Sequence, residues 1–292
     1  MNSIQWYPGH MTKALRMMQE NLSLVDILIE LLDARIPISS KNPDIDGLAK
    51  HKKRIVVLNK ADLADERANN AWKAYYEDLG YAALLTNSNA GKGLNEVAKL
   101  ARELMAEKIA RQKARGRLVV PIRAMIVGVP NVGKSTMINR YAGKNMAKVA
   151  DRPGVTKGKQ WINISKDFEL LDTPGILWPK FEETGDISQG LNLALTGAIN
   201  DNILDREKLA LSLISFMQQN SGEGLTARYK IDLEQNDTPD EVLQKIARAR
   251  GFKTKDDGID ILRTSVMLLD EFRGGKLGRL TLETTQKEEA KR

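Results

Sequence analysis

The chain contains no cysteine, and this absence excludes both a disulfide framework and a metal site built from thiolates. Only 5% of its 292 residues are aromatic, and there are two histidines, His10 and His51. The most apolar run, residues 22–32, is interrupted by Asp26 and Glu30 and is too short to span a bilayer. The first twenty residues lack the apolar core of a signal peptide. We therefore expect a cytoplasmic protein with no membrane partner.

Acidic side chains are fewer than basic ones in this chain. There are 45 Lys and Arg against 38 Asp and Glu, which gives a net charge of +7 and a pI near 9.4. The excess lies entirely in the first 200 residues, because residues 201–292 carry 16 basic and 17 acidic side chains. A basic chain without a membrane anchor favours an acidic partner such as nucleic acid, although the charge could also serve solubility alone.

Strand-like apolar runs alternate with helical patterns in the first 180 residues. Helices are predicted at 67–80 and 94–116, and the last two strands are adjacent enough to form a hairpin. The six predicted strands are 26–34, 54–60, 81–87, 123–129, 160–165 and 168–173. This alternation predicts an α/β fold with a doubly wound, mainly parallel sheet and one antiparallel edge.

The pattern changes near residue 185. Beyond that point the apolar residues recur with a spacing near 3.6, which is typical of amphipathic helices. The sequence therefore predicts an α/β domain at 1–184 and a smaller all-α domain at 185–292. The final stretch, TLETTQKEEAKR, is polar and acidic, and we expect it to be frayed.

A phosphate-binding loop is predicted at 128–136, where GVPNVGKST fits the pattern G-x-x-x-x-G-K-[ST] between a strand and a helix. Its glycines allow backbone N–H groups to face phosphate oxygens, and Lys134 brings a positive charge to the β and γ phosphates. Ser135 supplies a hydroxyl oxygen for Mg²⁺. The nucleotide-binding residues predicted here are Pro130, Asn131, Val132, Gly133, Lys134, Ser135 and Thr136.

Two further elements complete the predicted phosphate site. In LLDTPG at 170–175, Asp172 ends a strand and is expected to hold Mg²⁺ through water. The N–H group of Gly175 is expected to meet the γ-phosphate. Thr156 lies 22 residues after Lys134 and 16 before Asp172, and we expect its hydroxyl to close over Mg²⁺ when the γ-phosphate is present.

The motif NKAD at 59–62 follows a buried strand and predicts a guanine site. Asp62 can accept both guanine N1–H and the 2-amino group, which adenine cannot match. Asn59 is expected to tie the loop and approach the base edge, and the Lys60 stem to lie over its face. In TNSN at 86–89, Asn87 and Ser88 are the predicted backbone N–H donors to guanine O6. Together the motifs favour GTP and GDP over ATP.

The base motif here precedes the phosphate motif, which is the reverse of the usual order. The chain resembles the circularly permuted P-loop GTPases, specifically the YlqF/RbgA type that assembles the large ribosomal subunit in bacteria. WYPGHM at 6–11, DARIP at 33–37 and DRPGVT at 151–156 carry the resemblance together with the nucleotide motifs. It implies GTP hydrolysis with Mg²⁺, stimulation by a pre-ribosomal particle, and release coupled to hydrolysis.

The resemblance also assigns roles to two residues. An Asn at the position of Asn131 coordinates K⁺ in related GTPases, which implies K⁺ as an activator. Ras-like proteins orient the attacking water with a Gln after the last motif glycine, where this chain has Ile176. Taken alone, His10 would be a capping or surface residue, but the resemblance implies that it positions this water. His51 is expected on the surface, and Arg35 in an ion pair or turn contact with Asp33.

The partner implied by the resemblance is a large-subunit precursor, contacted through ribosomal RNA by the helical domain, with ribosomal proteins as further contacts. The basic residues predicted to touch RNA are Lys245, Arg248, Arg250, Lys253 and Lys255. Phe252 is expected in the core or stacked on a base. We expect a monomer. Two alternatives stay open: a regulatory switch that acts through proteins without RNA, and a nucleotide sensor without turnover.

Overall fold

The computed structural model describes residues 9–143, 160–175, 177, 187–220 and 222–285, except for the side chains of 9–14, 160 and 187. Its centre is a six-stranded sheet in the order β3-β2-β1-β4-β6-β5. The strands are β1 (Ile27–Asp33), β2 (Lys53–Asn59), β3 (Ala82–Leu85), β4 (Ile122–Val127), β5 (Gln160–Ser165) and β6 (Phe168–Asp172). Every pairing is parallel except the β5–β6 hairpin. The predicted doubly wound, mainly parallel sheet is therefore confirmed.

Helices cover both faces of the sheet, which explains the nearly continuous apolar strands. All seven residues of β1 are buried, and Ile29 and Leu28 belong to apolar clusters on opposite faces. The helices of this part are α1 (Gly9–Asn21), α2 (Pro43–Leu48), α3 (Glu66–Asp78), α4 (Leu94–Leu104), α5 (Ala106–Ala114) and α6 (Lys134–Ala142). The carboxyl ends of the parallel strands meet at one edge, where ligands bind in such sheets.

One predicted helix is two helices in the structure. The expected helix at 94–116 breaks at Met105, whose φ of −101° and ψ of 8° leave the helical region. The reason lies in burial: α4 has an apolar face against the sheet, whereas α5 buries no residue. Because α5 has no apolar face to pack against the sheet, the helix changes direction at Met105. Lys108 of α5 then forms a salt bridge with Asp26, which precedes β1.

The predicted helical region follows. Its helices are α7 (Ile187–Leu195), α8 (Arg206–Gln219), α9 (Glu223–Tyr229), α10 (Pro239–Arg250) and α11 (Ile261–Arg273). Thr238 and Glu241 form a reciprocal capping box that starts α10. Leu213 of α8 and Leu268 of α11 belong to the same apolar cluster as strand residue Ile29. We therefore propose residue 185 as a boundary in function, with apolar packing that continues across it.

The expectation of a frayed end is wrong for residues 281–285. These residues lie against the α/β part, and Thr285 is 4% exposed. Residues 286–292 lie outside the described part of the chain. Within the described residues, no helix is long and apolar enough to cross a membrane.

Candidate functional site

A cavity of about 980 Å³ opens at the carboxyl ends of the strands. The base motif and the phosphate loop both line it, so two stretches far apart in sequence form one site. Predicted site residues in its wall are Asn59, Lys60, Asp62, Asn87, Ser88, Asn131, Gly133 and Thr136. The opposite wall comes from the helical region, through residues that include Gly197, Asn200, Arg206 and Arg273. The sequence patterns did not indicate this second wall, because it depends on how the helices pack.

Asn59, the last residue of β2, joins the loops of the site. Its Nδ2 donates to the carbonyl oxygen of Val132 over 2.8 Å. Its Oδ1 accepts from the Thr86 hydroxyl at 3.1 Å and from the Ser88 N–H and hydroxyl at 3.0 and 2.8 Å. At Gly133 the φ is +107°, and a Cβ would lie 2.3 Å from Asn59 Nδ2, so only glycine fits. Asn59 thus holds these loops together, and its approach to the base edge stays a prediction.

Lys60, the second residue of the base motif, connects that motif to the end of β1. Its backbone is left-handed, with φ of +59°, and its Nζ donates to Asp33 Oδ2 over 2.9 Å. Arg35 donates to the same carboxylate through Nε at 2.9 Å and Nη2 at 2.8 Å, which confirms the predicted Asp33–Arg35 ion pair. Burial raises the pKa of Asp33, but the charges of Arg35 and Lys60 outweigh it and hold that pKa below its ordinary value. Burial lowers the pKa of Lys60.

The predicted donors to guanine O6 need a correction. The N–H of Asn87 donates to the Lys92 carbonyl oxygen at 3.1 Å, and that of Ser88 donates to Asn59. The next residue, Asn89, also lines the cavity, and its N–H makes no hydrogen bond within the described part of the chain. Both predicted N–H groups form hydrogen bonds within the site loops, so the Asn89 N–H becomes the candidate donor to guanine O6. The Asp62 carboxylate is exposed and makes no hydrogen bond or ion pair among the described residues.

Lys134 is the first residue of α6, and its side chain folds back over the phosphate loop. Its Nζ donates to the carbonyl oxygens of Gly128 at 3.0 Å and Val129 at 2.8 Å. Lys134 is 7% exposed, and burial lowers its pKa to about 8, while the charge of Asp172 acts in the opposite direction. A bound phosphate would give this ammonium group a charged acceptor and would favour its protonated form.

Two of the three residues predicted for Mg²⁺, Asp172 and Ser135, lie in the described structure and carry oxygen ligands that suit this ion. Asp172 is buried at the end of β6, next to the β4 end that begins the phosphate loop, and Ser135 is the second residue of α6. The Thr173 hydroxyl donates to the Ile126 carbonyl oxygen at 2.6 Å and holds these two strand ends together. Carboxylate and hydroxyl oxygens are ligands that Mg²⁺ prefers. Thr156, the third predicted ligand, lies outside the described residues.

Gly175 and Asn131 make close contacts on either side of the phosphate loop. A Cβ on Gly175 would lie 2.7 Å from the Pro130 Cα and 3.1 Å from Lys134 Nζ, so the Gly175 backbone passes directly over the loop. Asn131 has a left-handed backbone, with φ of +57°, and its Nδ2 donates to the Gly197 carbonyl oxygen over 2.7 Å. The phosphate loop therefore touches the helical region directly.

The two histidines differ in what the structure describes. His10 is the second residue of α1, and its side chain lies outside the described part. His51 is exposed, as predicted. The role of His10 in positioning water therefore stays a prediction.

The five basic residues predicted to contact RNA fall into two groups. Lys245 Nζ donates to the Asp237 carboxylate at 2.6 Å. The Arg250 guanidinium lies 5.1 Å from the centre of the Tyr229 ring and 3.8 Å from the Glu271 carboxylate, so both residues have intramolecular partners. Arg248, Lys253 and Lys255 are exposed on α10 and the turn beyond it, where Arg248 donates to the neighbouring Gln244 at 3.3 Å and Lys253 to the exposed Asp257 at 3.1 Å. Phe252 is half-buried beneath the guanidinium of Arg263, 4.2 Å from its ring centre.

Comparisons with known proteins agree with this geometry. A family model described as 50S ribosome-binding GTPase matches residues 123–245, and one described as RsgA GTPase matches residues 48–182. Ribosome biogenesis GTPase A of Bacillus cereus is 49% identical over 286 residues, which cover 97% of this chain and 94% of that protein. The protein of the same name from Thermotoga maritima is 30% identical over 281 residues, or 96% and 94% of the two chains.

Two solved structures are similar over nearly the whole chain. The GDP-bound structure of TM YlqF has a TM-score of 0.65 at 26% identity and covers 92% of this chain and 99% of its own. The GNP-bound YlqF from T. maritima has a TM-score of 0.61 at 27% identity, covering 93% of this chain and 98% of its own.

Proposed function

The chain belongs to the ribosome biogenesis GTPase A family, and from that premise we propose how its residues serve GTP hydrolysis in ribosome assembly. It is a circularly permuted GTPase that uses GTP, GDP and Mg²⁺. We propose that it acts on a precursor of the large ribosomal subunit, the subunit whose binding the matching family model describes. The observation that carries this proposal is the single cavity in which the base motif, the phosphate loop and the helical region meet.

Guanine recognition is proposed to rest on Asp62 and Asn89. The exposed Asp62 carboxylate accepts the N1–H and the 2-amino group, and the free Asn89 N–H donates to O6. The Lys60 stem, held at its end by Asp33, lies over the face of the base. Adenine would leave the carboxylate without donors, and this mismatch excludes ATP.

Phosphate binding is proposed to begin with Lys134, which leaves its two loop carbonyls for the β and γ oxygens. The Gly175 N–H contacts the γ-phosphate, because its backbone already lies against Pro130. Ser135, Asp172 and Thr156 would hold Mg²⁺, which neutralises developing charge on the phosphates. Asn131 is proposed as a ligand of an activating K⁺, in a position beside Gly133 in the cavity wall.

We assign the positioning of the attacking water to His10, since Ile176 has no polar atom to hold it. The test is GTP turnover with and without purified large ribosomal subunits, in Na⁺ and in K⁺. Wild type should be stimulated by subunits and by K⁺, and His10→Ala should lose most of the stimulated rate, about 10²-fold or more. His51→Ala is the matched control, because His51 is exposed. Stimulated turnover that survives in His10→Ala would remove His10 from the mechanism.

The cycle we propose couples the nucleotide to the ribosomal particle. The chain docks in the GTP state, the particle stimulates hydrolysis, and the GDP state is released. The hydrogen bond between Asn131 and the Gly197 carbonyl supports this coupling, since phosphate-loop movement would reach the helical region. Equal affinity for the particle with GDP and with a non-hydrolysable GTP analogue would contradict it.

RNA contact is proposed for the exposed group of Arg248, Lys253 and Lys255, with Lys245 and Arg250 as secondary contributors. Exposed cations on one surface can neutralise phosphates and release counterions. The alternative is a switch that acts through proteins alone. Co-sedimentation with ribosomal particles that is lost after RNase treatment favours the RNA interpretation, and co-sedimentation that persists favours the alternative. We propose a cytoplasmic location because the proposed partner is a ribosomal particle, and the monomeric state stays a prediction.

A further inference from the structure

We propose that residues 278–285, here called the C-terminal strap, position the guanine loop, residues 59–65. This rests on the proposed function, in which Asp62 of that loop recognises guanine. The polar strap sequence gave no sign of such a role, because every contact described below joins residues far apart in the chain.

The guanidinium of Arg279 contacts the guanine loop on both sides of Asp62. Its Nε donates to the Ala64 carbonyl oxygen at 2.7 Å, and its Nη2 donates to that of Ala61 at 3.2 Å. Its Nη1 donates to the Glu66 carboxylate at 3.1 Å, just beyond the loop. One side chain thus spans the backbone from which the Asp62 carboxylate extends.

The next strap residues extend this contact through the backbone. The N–H of Leu280 donates to the Leu63 carbonyl oxygen at 2.9 Å, and the N–H of Asp65 donates to the Thr281 hydroxyl at 3.0 Å. Together with Arg279, these residues bond four of the seven residues of the guanine loop.

The far end of the strap is anchored independently of the loop. The Leu282 N–H donates to the Arg35 carbonyl oxygen at 2.8 Å. The Glu283 carboxylate accepts the N–H groups of Ile38 at 2.6 Å and Ser39 at 3.0 Å, and the Asn192 amide of α7 at 3.1 Å. The strap therefore spans from the end of the helical region to the segment that follows β1, and it bonds the guanine loop on the way.

Asp62 needs this support because its carboxylate must meet two guanine donors at once while making no contact with the rest of the described chain. A site of this kind discriminates only when its supporting shell holds the ligand group in place. Inside the α/β part, the loop backbone is held by a few bonds, including Asn69 Nδ2 to the Ala61 carbonyl oxygen at 2.8 Å. The strap supplies the remaining contacts on the outer side.

The experiment compares GDP with inosine diphosphate, which lacks only the 2-amino group that Asp62 accepts. In the full chain, wild type should bind GDP about tenfold more tightly than inosine diphosphate, the ratio expected when one hydrogen bond to a charged group is lost. Arg279→Ala should weaken GDP binding about tenfold and reduce the GDP preference to about twofold, because the carboxylate no longer sits in one place. Arg279→Lys, which can still reach one carbonyl, should restore part of that preference.

Arg228→Ala is the matched control. Arg228 also makes a two-pronged contact, with the Glu271 carboxylate in the helical region, but it touches no residue of the guanine loop. Its removal should leave the ratio of the two dissociation constants unchanged.

The outcomes separate this inference from the proposed function. Wild type that binds both nucleotides equally would show that the guanine site itself is misassigned. Preference in wild type that persists unchanged in Arg279→Ala would overturn the strap alone. If Arg279→Ala does not fold, Thr281→Val removes the bond to Asp65, and a ratio unchanged in that variant would likewise overturn the strap.

Discussion

Asn59 donates a hydrogen bond from its side-chain amide to the Val132 carbonyl oxygen, 2.8 Å away in space and 73 residues away in sequence. This bond joins the loop that reads the base to the loop that holds the phosphates. It explains why a reversed motif order leaves the binding site intact. β1 lies between β2 and β4, so the carboxyl ends of β2 and β4 open onto the same edge of the sheet whichever comes first in the chain.

Replacing Asn59 should therefore weaken binding of the whole nucleotide. Asn59→Ala leaves the Val132 carbonyl and the Thr86 and Ser88 donors without their partner. We expect the dissociation constants of GDP and GTP to rise about 100-fold, which corresponds to about 3 kcal/mol for several buried hydrogen bonds. Binding measured by calorimetry checks this, with Asn220→Ala as control, because the Asn220 amide donates to the Phe216 carbonyl oxygen one turn earlier, and Asn220 does not line the cavity. A change of less than about threefold would contradict a joining role.

Asp62→Asn should change which base is bound. Xanthine carries an oxygen where guanine carries the 2-amino group, and an amide can donate to that oxygen while accepting from N1–H. We expect GDP affinity to fall about 100-fold or more and xanthosine diphosphate affinity to rise by a similar factor. Competition between the two nucleotides for the variant measures the switch. A variant that loses GDP without gaining xanthosine diphosphate would place Asp62 outside direct base contact.

Nucleotide affinity should fall as the pH rises above 8. Burial lowers the pKa of Lys134 to about 8 in the empty site, and phosphate favours its charged form. Lys134 must therefore take up a proton when the nucleotide binds at higher pH, and GDP should bind about tenfold more weakly at pH 9 than at pH 7. Calorimetry in buffers of different ionisation enthalpy would detect that proton. Guanosine is the control, since it has no phosphate, and an equal pH effect on guanosine would exclude Lys134 as the cause.

Removing Arg54 should destabilise the fold in a pH-dependent way. Glu30 in the middle of β1 is fully buried, Arg54 donates to it at 3.1 Å, and burial raises its pKa. Arg54→Met leaves a buried carboxylate without its partner, and we expect a loss of about 3–5 kcal/mol in the free energy of unfolding near pH 8. A raised pKa means that the folded state holds its proton more strongly, so stability is lost as the pH rises and the deficit should shrink toward pH 5.

Urea unfolding at both pH values tests this. The double variant Glu30→Gln with Arg54→Met carries no buried charge at these positions, so its stability should depend less on pH. A deficit in Arg54→Met that is the same at pH 5 and pH 8 would show that lost packing, and not the charge of Glu30, causes it.

The salt dependence of ribosomal binding should distinguish the exposed Lys253 and Lys255 from the more buried Lys245. Lys253 and Lys255 are exposed, and Asp257, the 3.1 Å partner of Lys253, is exposed as well, whereas Lys245 is held by Asp237, whose side chain is 8% exposed. Replacing both exposed lysines with Gln should reduce the slope of log affinity against log salt by about 1–2 if each contacts a phosphate. Lys245→Gln should change the slope less. Equal slopes in all variants would place the RNA contact elsewhere.

Much of the fold followed from local patterns. The six strands lie within about two residues of their predicted ends, because apolar runs bounded by turns are local signals. The break at Met105 was missed because helix-forming residues continue through it, while the buried contacts of α4 end there. Asn87 and Ser88 were predicted as donors to the base, but their N–H groups shape the loop, and only three-dimensional contacts with Lys92 and Asn59 reveal that.

By itself the sequence determined the strand order in the chain, the phosphate loop at 128–136 and the base motif at 59–62, since each depends on residues that are neighbours in the chain. Only the tertiary structure decided that helical residues such as Arg206 wall the nucleotide cavity and that Arg279 holds the guanine loop. It also decided which lysines are free, because Asp237 reaches Lys245 and no acid of the described chain reaches Lys255. Hydrogen bonds and ion pairs form between groups that packing brings together, and the spacing of residues along the chain does not show how far apart those groups lie in space.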